Sequence, residues 1–273
     1  MKKILFFVLL ISFSFEAHAA SKMFPKQAAQ APVTQPKPVP EKTEEPPVVT
    51  PTPGVPALPK LAWDGAHPQS DVWTEFLLSE LEATGKDMLN AKPADRATFC
   101  KKYDQLDQQG RKLFYAQFIS KLAQFESDYI PSKVYVECSS KPTTYGKSGR
   151  FFASKGKWCI PGHAKDGGVA ISRGLTQLSL ESAQGYKCPL TEPSELHDPK
   201  KNLSCAVRIM NRFIPAPRQY EGATRGHNRI AQKVDGVWKG AAAYWAPLRD
   251  SSEYNRESLA AIVKYTSNLS ICK

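Results

Sequence analysis

Leu122-Ala123-Gln124-Phe125-Glu126-Ser127 closes a long amphipathic pattern, and reading it decides the fold. Apolar side chains recur at helical spacing through Phe99, Tyr103, Leu106, Leu113, Phe114, Phe118, Ile119, Leu122 and Phe125. The pattern predicts a helix that ends within a residue or two of Pro131, with Gly110 dividing the stretch in two. It sets Glu126 beside apolar neighbours at a helix end. Burial disfavours the charged form of a carboxyl group, so Glu126 is a candidate general acid. The plainer alternative is a solvated carboxylate at a helix end, and Leu122 and Phe125 do not decide between the two.

Outward from this helix the N-terminal half stays helical. Val72, Trp73, Phe76, Leu77 and Leu81 form an apolar stripe, and Pro93-Ala94-Asp95 reads as a helix start. Lys133-Val134-Tyr135-Val136-Glu137 alternates like a short strand. Gly146, Gly149, Gly156, Gly162, Gly167 and Gly168 then punctuate a loop or small hairpin. Helices are expected again over about 174–185, 200–214, 237–247 and 254–267.

The ends bound the compartment. Lys2 and Lys3 precede an apolar run from Ile4 to Phe15, and Ala17-His18-Ala19 follows, so residues 1–19 read as a secretory signal peptide. That run is short for a membrane span, and no later stretch predicts one. Residues 20–60 form a proline-rich tail, with eleven prolines in residues 21–60, too poor in apolar area to fold. Residues 61–273 are long enough for one domain with a sizeable core. The expected product is exported, periplasmic or secreted, and a monomer.

Six cysteines in an exported chain suggest disulfides. The expected pairs are Cys138 with Cys159, Cys188 with Cys205 and Cys100 with Cys272, although spacing alone does not select them. There is no Cys-x-x-Cys, and no histidine stands at ligand spacing from a cysteine pair, so neither a metal nor another cofactor is expected. The net charge of +11 fits either a solvated basic surface or attraction to a polyanion, which for an exported chain means cell-wall polymer or anionic lipid. No nucleic-acid-binding motif is present, and no Gly-x-Ser-x-Gly elbow marks a nucleophile triad.

Four short segments carry a resemblance. Glu126-Ser127 resembles the Glu-Ser of the soluble lytic transglycosylase and goose-type lysozyme superfamily. Gly174-Leu175-Thr176-Gln177 is similar to its Gly-Leu-Met-Gln, with Thr176 in place of Met. Asp198-Pro199-Lys200-Lys201-Asn202-Leu203 resembles its Asp-Pro-x-x-Asn-Ile, and Ala243-Tyr244-Trp245-Ala246 resembles Ala-Tyr-Asn-Ala-Gly, with Trp245 and Pro247 replacing Asn and Gly. The match covers residues 110–267 in the family's order. It implies a mainly α, lysozyme-like domain with a cleft between two lobes, and peptidoglycan glycan strands as the partner. The glycine- and lysine-rich insertion between Glu126 and Gly174, read as a disulfide-stapled loop or small hairpin, departs from the family.

By the same resemblance, Glu126 is the general acid/base, Ser127 orients it, and Gln177 and Tyr244 position the sugar. Trp245 either shapes a subsite or fills the core. The implied reaction is cleavage of the β-1,4 bond between N-acetylmuramic acid and N-acetylglucosamine, by hydrolysis or by attack of the sugar's own 6-hydroxyl. Hydrolysis calls for a second carboxylate, with Glu137 preferred over Asp128 and Asp166. A narrower resemblance, to lysozyme-like enzymes of predatory bacteria, implies a preference for deacetylated peptidoglycan. The basic overall charge weighs against binding the cationic amino sugars this would involve. A non-catalytic wall-binding protein on the same fold and a chitinase- or chitosanase-type glycosidase stay open. Tyr220, Glu221 and Arg225 are further candidates for lining the cleft, whereas His163, His197 and His227 read as surface or turn residues.

Overall fold

The computed structural model describes residues 58–136, 138–139, 152–154, 157–159, 171–220 and 223–273. Residues 1–57, which include the stretch read as a signal peptide and most of the proline-rich tail, lie outside the described residues, as do Glu137, His163, Asp166 and Glu221. Helices α1 (Ser70–Ala83), α2 (Lys86–Asn90), α3 (Arg96–Phe99) and α4 (Gln108–Ser127) form the first half. Short strands β1 (Val134–Val136), β2 (Cys138–Ser139), β3 (Phe152–Ser154), β4 (Lys157–Cys159) and β5 (Ile171–Arg173) follow. Next come α5 (Leu180–Gly185), α6 (Pro199–Phe213), β6 (Arg218–Tyr220), β7 (Ala223–Arg225), β8 (Ala231–Val234), β9 (Val237–Gly240) and α7 (Glu253–Ser267). The fold is mostly helical, with few and short strands.

Helix α4 is the axis of the core. Phe114, Tyr115, Ala116, Phe118, Ile119, Leu122 and Ala123 are all buried, so apolar residues surround this helix rather than striping one face. Helices α1, α2 and α7 pack against it, and α6 packs on α1 and α2. Its start is fixed by the Asp107 carboxylate, which accepts from the Gly110 N–H at 2.7 Å. Gly110 therefore lies inside the first turn and does not divide the pattern. The break comes earlier, between α3 and α4, where the chain leaves the helix at Cys100. The far end also differs from expectation. Asp128 and Tyr129 both take left-handed φ values, 54° and 62°, and stop α4 before Pro131 can.

One helix expected from the sequence is replaced by other structure, and a second starts later than expected. Residues 231–240 form an antiparallel hairpin, β8 with β9, turned by Asp235 and Gly236 at φ 50° and 77°. Those angles belong to the tight turn that an Asp-Gly pair favours between strands. Short 3-10 turns at Ala241–Ala243 and Ala246–Leu248 carry the chain on to α7. In the other case, Gly174–Gln177 is a turn, and the helix begins only after the Ser179 side chain caps the Ser182 N–H.

Cys100–Cys272 and Cys188–Cys205 are bonded, as expected. Cys138 and Cys159 face each other in the β2–β4 register, but their side chains lie outside the described residues. The Cys100–Cys272 link joins positions 172 residues apart, tying α3 to the end of the chain. In the chain-entropy account a loop that long is worth about 5 kcal/mol, and the 17-residue loop of Cys188–Cys205 about 3 kcal/mol. No helix among the described residues is long and apolar enough to cross a membrane.

Candidate functional site

Three distant segments meet at Thr176. The Asn202 Oδ1 accepts from the Thr176 N–H at 2.9 Å and from its hydroxyl at 2.7 Å. Asn202 Nδ2 donates to the carbonyls of Arg173 and Leu196, both at 3.0 Å. The Trp245 indole donates to the Thr176 carbonyl at 2.9 Å. Asn202 reaches the turn because Asp198 and Pro199 start α6 beside it, with the Asp198 carboxylate accepting from the N–H groups of Lys200 and Lys201. Gly174, at φ 78°, is needed at the contact, since a Cβ there would stand 2.1 Å from the Leu196 carbonyl oxygen and 2.3 Å from Asn202 Nδ2.

This hub presents Gln177. Its φ of 49° is left-handed, an uncommon state for a residue with a side chain. Gln177 Nε2 donates to the Gly174 carbonyl at 2.8 Å and to the Lys133 carbonyl at 3.2 Å. Gln177 thereby links the turn to the approach of β1, which pairs with β5.

A cleft of about 790 Å³ opens over the hub, and Glu126, Gln177, Tyr244 and Arg249 all line it. That size suits a ligand of several rings. Glu126 projects from the last turn of α4. Burial pushes its carboxyl up to about 8, against the pull of the Arg249 charge. The negative end of the α4 dipole acts in the same direction as burial. Glu126 is therefore predominantly protonated at neutral pH, able to give a proton and then to take one back.

Tyr244 is half-buried, and burial pushes its phenol up to about 12, against hydrogen bonds involving Ser182 and the Ser179 backbone. It stays a neutral hydroxyl at any physiological pH. Ser127 is buried, and its hydroxyl donates to the Ala123 carbonyl at 3.1 Å, back along the helix rather than toward Glu126. Trp245 is 1% exposed and braces Thr176 from the core. The structure thus brings Glu126, Ser127, Gln177, Tyr244 and Trp245 to one cleft. Asp128 lines it too, from the exposed position just after α4.

Other expectations fall elsewhere. Glu137 and Asp166 lie outside the described residues. Arg225 sits on β7 and is not among the residues around the cleft, and the Tyr220 side chain is not described. His197 Nδ1 bonds with the Pro131 carbonyl, and His227 Nδ1 accepts from the Gly240 N–H at 2.8 Å, so both hold turns. No group of three or more histidine, cysteine, aspartate or glutamate side chains is placed to hold a metal among the described residues.

Sequence reading missed Arg249. Its guanidinium donates to the carbonyls of Ala242, Ala243 and Tyr244 at 2.8, 3.0 and 3.1 Å. It thereby clamps the turn that carries Tyr244 while its charge acts on Glu126. No local motif announces it, because the carbonyls it gathers are defined only once the 3-10 turn exists. Glu181, in the first turn of α5, and Tyr135 and Tyr254 also line the cleft without having been singled out.

No family model matches the chain, and no curated protein does. Among solved structures it is similar to Bd0314 DslA, a Bdellovibrio protein. In the wild-type form the two share 34% identity over 78% of this chain and 98% of that one, with a TM-score of 0.60. Two single glutamate-to-glutamine variants of the same protein match at 34% identity, covering 78% of this chain and 97% of that one, with TM-scores of 0.60 and 0.59.

Proposed function

Because the chain belongs to the family of DslA, we propose on that premise and on the cleft that it is a peptidoglycan glycosidase of lysozyme-like, two-lobed architecture. Its bond would be the β-1,4 link between N-acetylmuramic acid and N-acetylglucosamine. The observation that carries the reading is Glu126, with its carboxyl pushed up to about 8, in one cleft with Gln177 and Tyr244. Cleavage of a glycosidic bond needs a proton on the leaving oxygen as an oxocarbenium-like centre develops. Glu126 donates that proton, and its carboxylate then takes one from the incoming nucleophile. Gln177 and Tyr244 hold the sugar while this happens. Burial that keeps Glu126 charged only transiently favours the proton-transfer cycle over a standing ion pair.

The neighbour's variants support a role for a second carboxylate. The two substituted glutamates of DslA lie eleven residues apart in its own chain, the separation of Glu126 and Glu137 here. Glu137 would then serve a hydrolytic route in which water attacks. Asp128 and Glu181 bring further carboxylates to the cleft and would suit the ammonium groups of deacetylated glycan. Two disulfides among the described residues are compatible with an exported protein working on wall polymer.

The test is mass spectrometry of the products from native and chemically deacetylated peptidoglycan, using wild type and Glu126→Gln. Reducing-end products lost in the variant support hydrolysis, and anhydro-muropeptides lost in the variant support attack by the 6-hydroxyl. Turnover confined to deacetylated wall supports the narrower specificity, and equal turnover of both walls removes it. Absence of glutamate-dependent products from either wall contradicts the glycosidase reading.

A further inference from the structure

Tyr254 and Tyr135 are 56% and 58% exposed, yet both line the cleft. Neither ring adds to the core. Tyr254 nevertheless has a fixed position. It lies in the first turn of α7, and its hydroxyl donates to the Phe125 carbonyl at 3.0 Å. That carbonyl is among the last four of α4, which have no partner within the helix. The bond holds an aromatic face at the cleft mouth, one residue along the chain from Glu126. Tyr135 reaches the cleft from β1. Its cross-strand partner is Ser172, which lines the cleft on the same face of the two-stranded sheet and is too small to cover a tyrosine ring.

We propose that Tyr254 and Tyr135 are stacking platforms for pyranose rings of the glycan strand, on either approach to the bond that Glu126 addresses. The inference rests on the glycosidase reading above and deepens it by assigning subsites. The C–H bonds on one face of a β-linked pyranose are apolar and carry partial positive charge, so they match the negative face of an aromatic ring. A ring already held in place loses little freedom when the sugar lands on it, which lowers the entropic cost of binding. The two platforms come from different elements, α7 and β1, so a strand resting on both would be drawn across the floor that holds Glu126 and Gln177.

Calorimetry with glycan strands freed of their stem peptides tests this, with Glu126→Gln as the parent so that the strands survive. Tyr254→Ala and Tyr135→Ala are each expected to weaken binding about tenfold, Tyr135→Phe to stay within about twofold of the parent, and Tyr254→Phe, which keeps the ring but loses its anchor, to fall about threefold. In the active background the alanine variants should raise KM with little change in kcat, as loss of uniform binding does. Unchanged affinity in both alanine variants overturns the platforms and leaves the glycosidase reading standing. A Tyr135→Phe variant that falls as far as Tyr135→Ala, or a Tyr254→Phe variant that falls as far as Tyr254→Ala, also overturns the platform at that position, because the ring face would then contribute nothing. A parent that binds no strand removes the platforms and the reading together.

Discussion

The hub at Thr176 and the end of α4 at Glu126 share one cleft but are built on opposite principles. At the hub, Asn202 uses its amide oxygen twice and its nitrogen twice, and Trp245 takes up the remaining carbonyl. Such a saturated polar cluster rigidifies the turn. At the end of α4 a carboxyl is held where its charged form is disfavoured, with Arg249 offsetting only part of the penalty. The difference separates residues that hold the site from the residue that would act in it. Both kinds occur within the same short motifs.

Glu126→Gln should sharpen the contrast most. Activity on peptidoglycan is expected to fall by about 10²–10⁴-fold, read as initial rates of product release. Stability should not fall with it. A carboxyl whose folded value lies above its unfolded value binds more protons in the folded state, so it erodes stability as pH rises from about 4.5 toward about 8. The variant lacks that erosion. Its thermal midpoint should therefore gain on wild type over that interval, and an advantage that shrinks with rising pH would break the comparison.

Gly174→Ala should do the reverse. A methyl group 2.1 Å from a backbone oxygen forces the turn open at a left-handed φ, costing about 3–5 kcal/mol in denaturant unfolding. Activity should fall in step with the fraction folded, because the turn that presents Gln177 is lost with the fold. A stable, inactive Gly174→Ala protein would show that the turn acts in the chemistry and does not merely hold it.

Arg249 belongs to both regions, so its variants divide them. Arg249→Met removes the charge that lowers the Glu126 value, and the basic limb of the pH–activity profile should move up by about one pH unit. The direction follows because a general acid loses activity as pH rises through its own value. Arg249→Lys keeps the charge and should keep the limb, even though it loses the three-carbonyl clamp. If both variants lower activity without moving the limb, Arg249 acts on the Tyr244 turn alone. Trp245→Phe should give the smallest change, about 1–2 kcal/mol of stability through the lost bond to the Thr176 carbonyl, with the pH profile unmoved.

Much of this division was legible in the sequence and some was not. The pattern from Leu113 to Phe125 marked α4 and placed Glu126 at its end, because helical periodicity survives in any buried helix. Gly174, Gln177, Asn202 and Tyr244 stood in recognisable order, but their order did not say that Asn202 holds Thr176. That contact is made across 26 residues by folding. Residues 237–247 read as helical, but the preceding Asp235-Gly236 pair takes the left-handed φ values of a tight turn and the chain forms a hairpin through Gly240 instead. Ser127 could be read as orienting Glu126, yet a serine in a helix readily bonds back to the carbonyl four residues earlier, and it does. Arg249 left no trace, since one arginine among many gains meaning only from the carbonyls it meets.

A carbon-13 titration of the Glu126 carboxyl, assigned by its absence in Glu126→Gln, tests the central claim without any substrate. The account predicts a midpoint near the value of about 8 that burial imposes. A midpoint near the ordinary glutamate value of about 4.3 would mean that Glu126 is a solvated carboxylate, and would contradict its assignment as the proton donor.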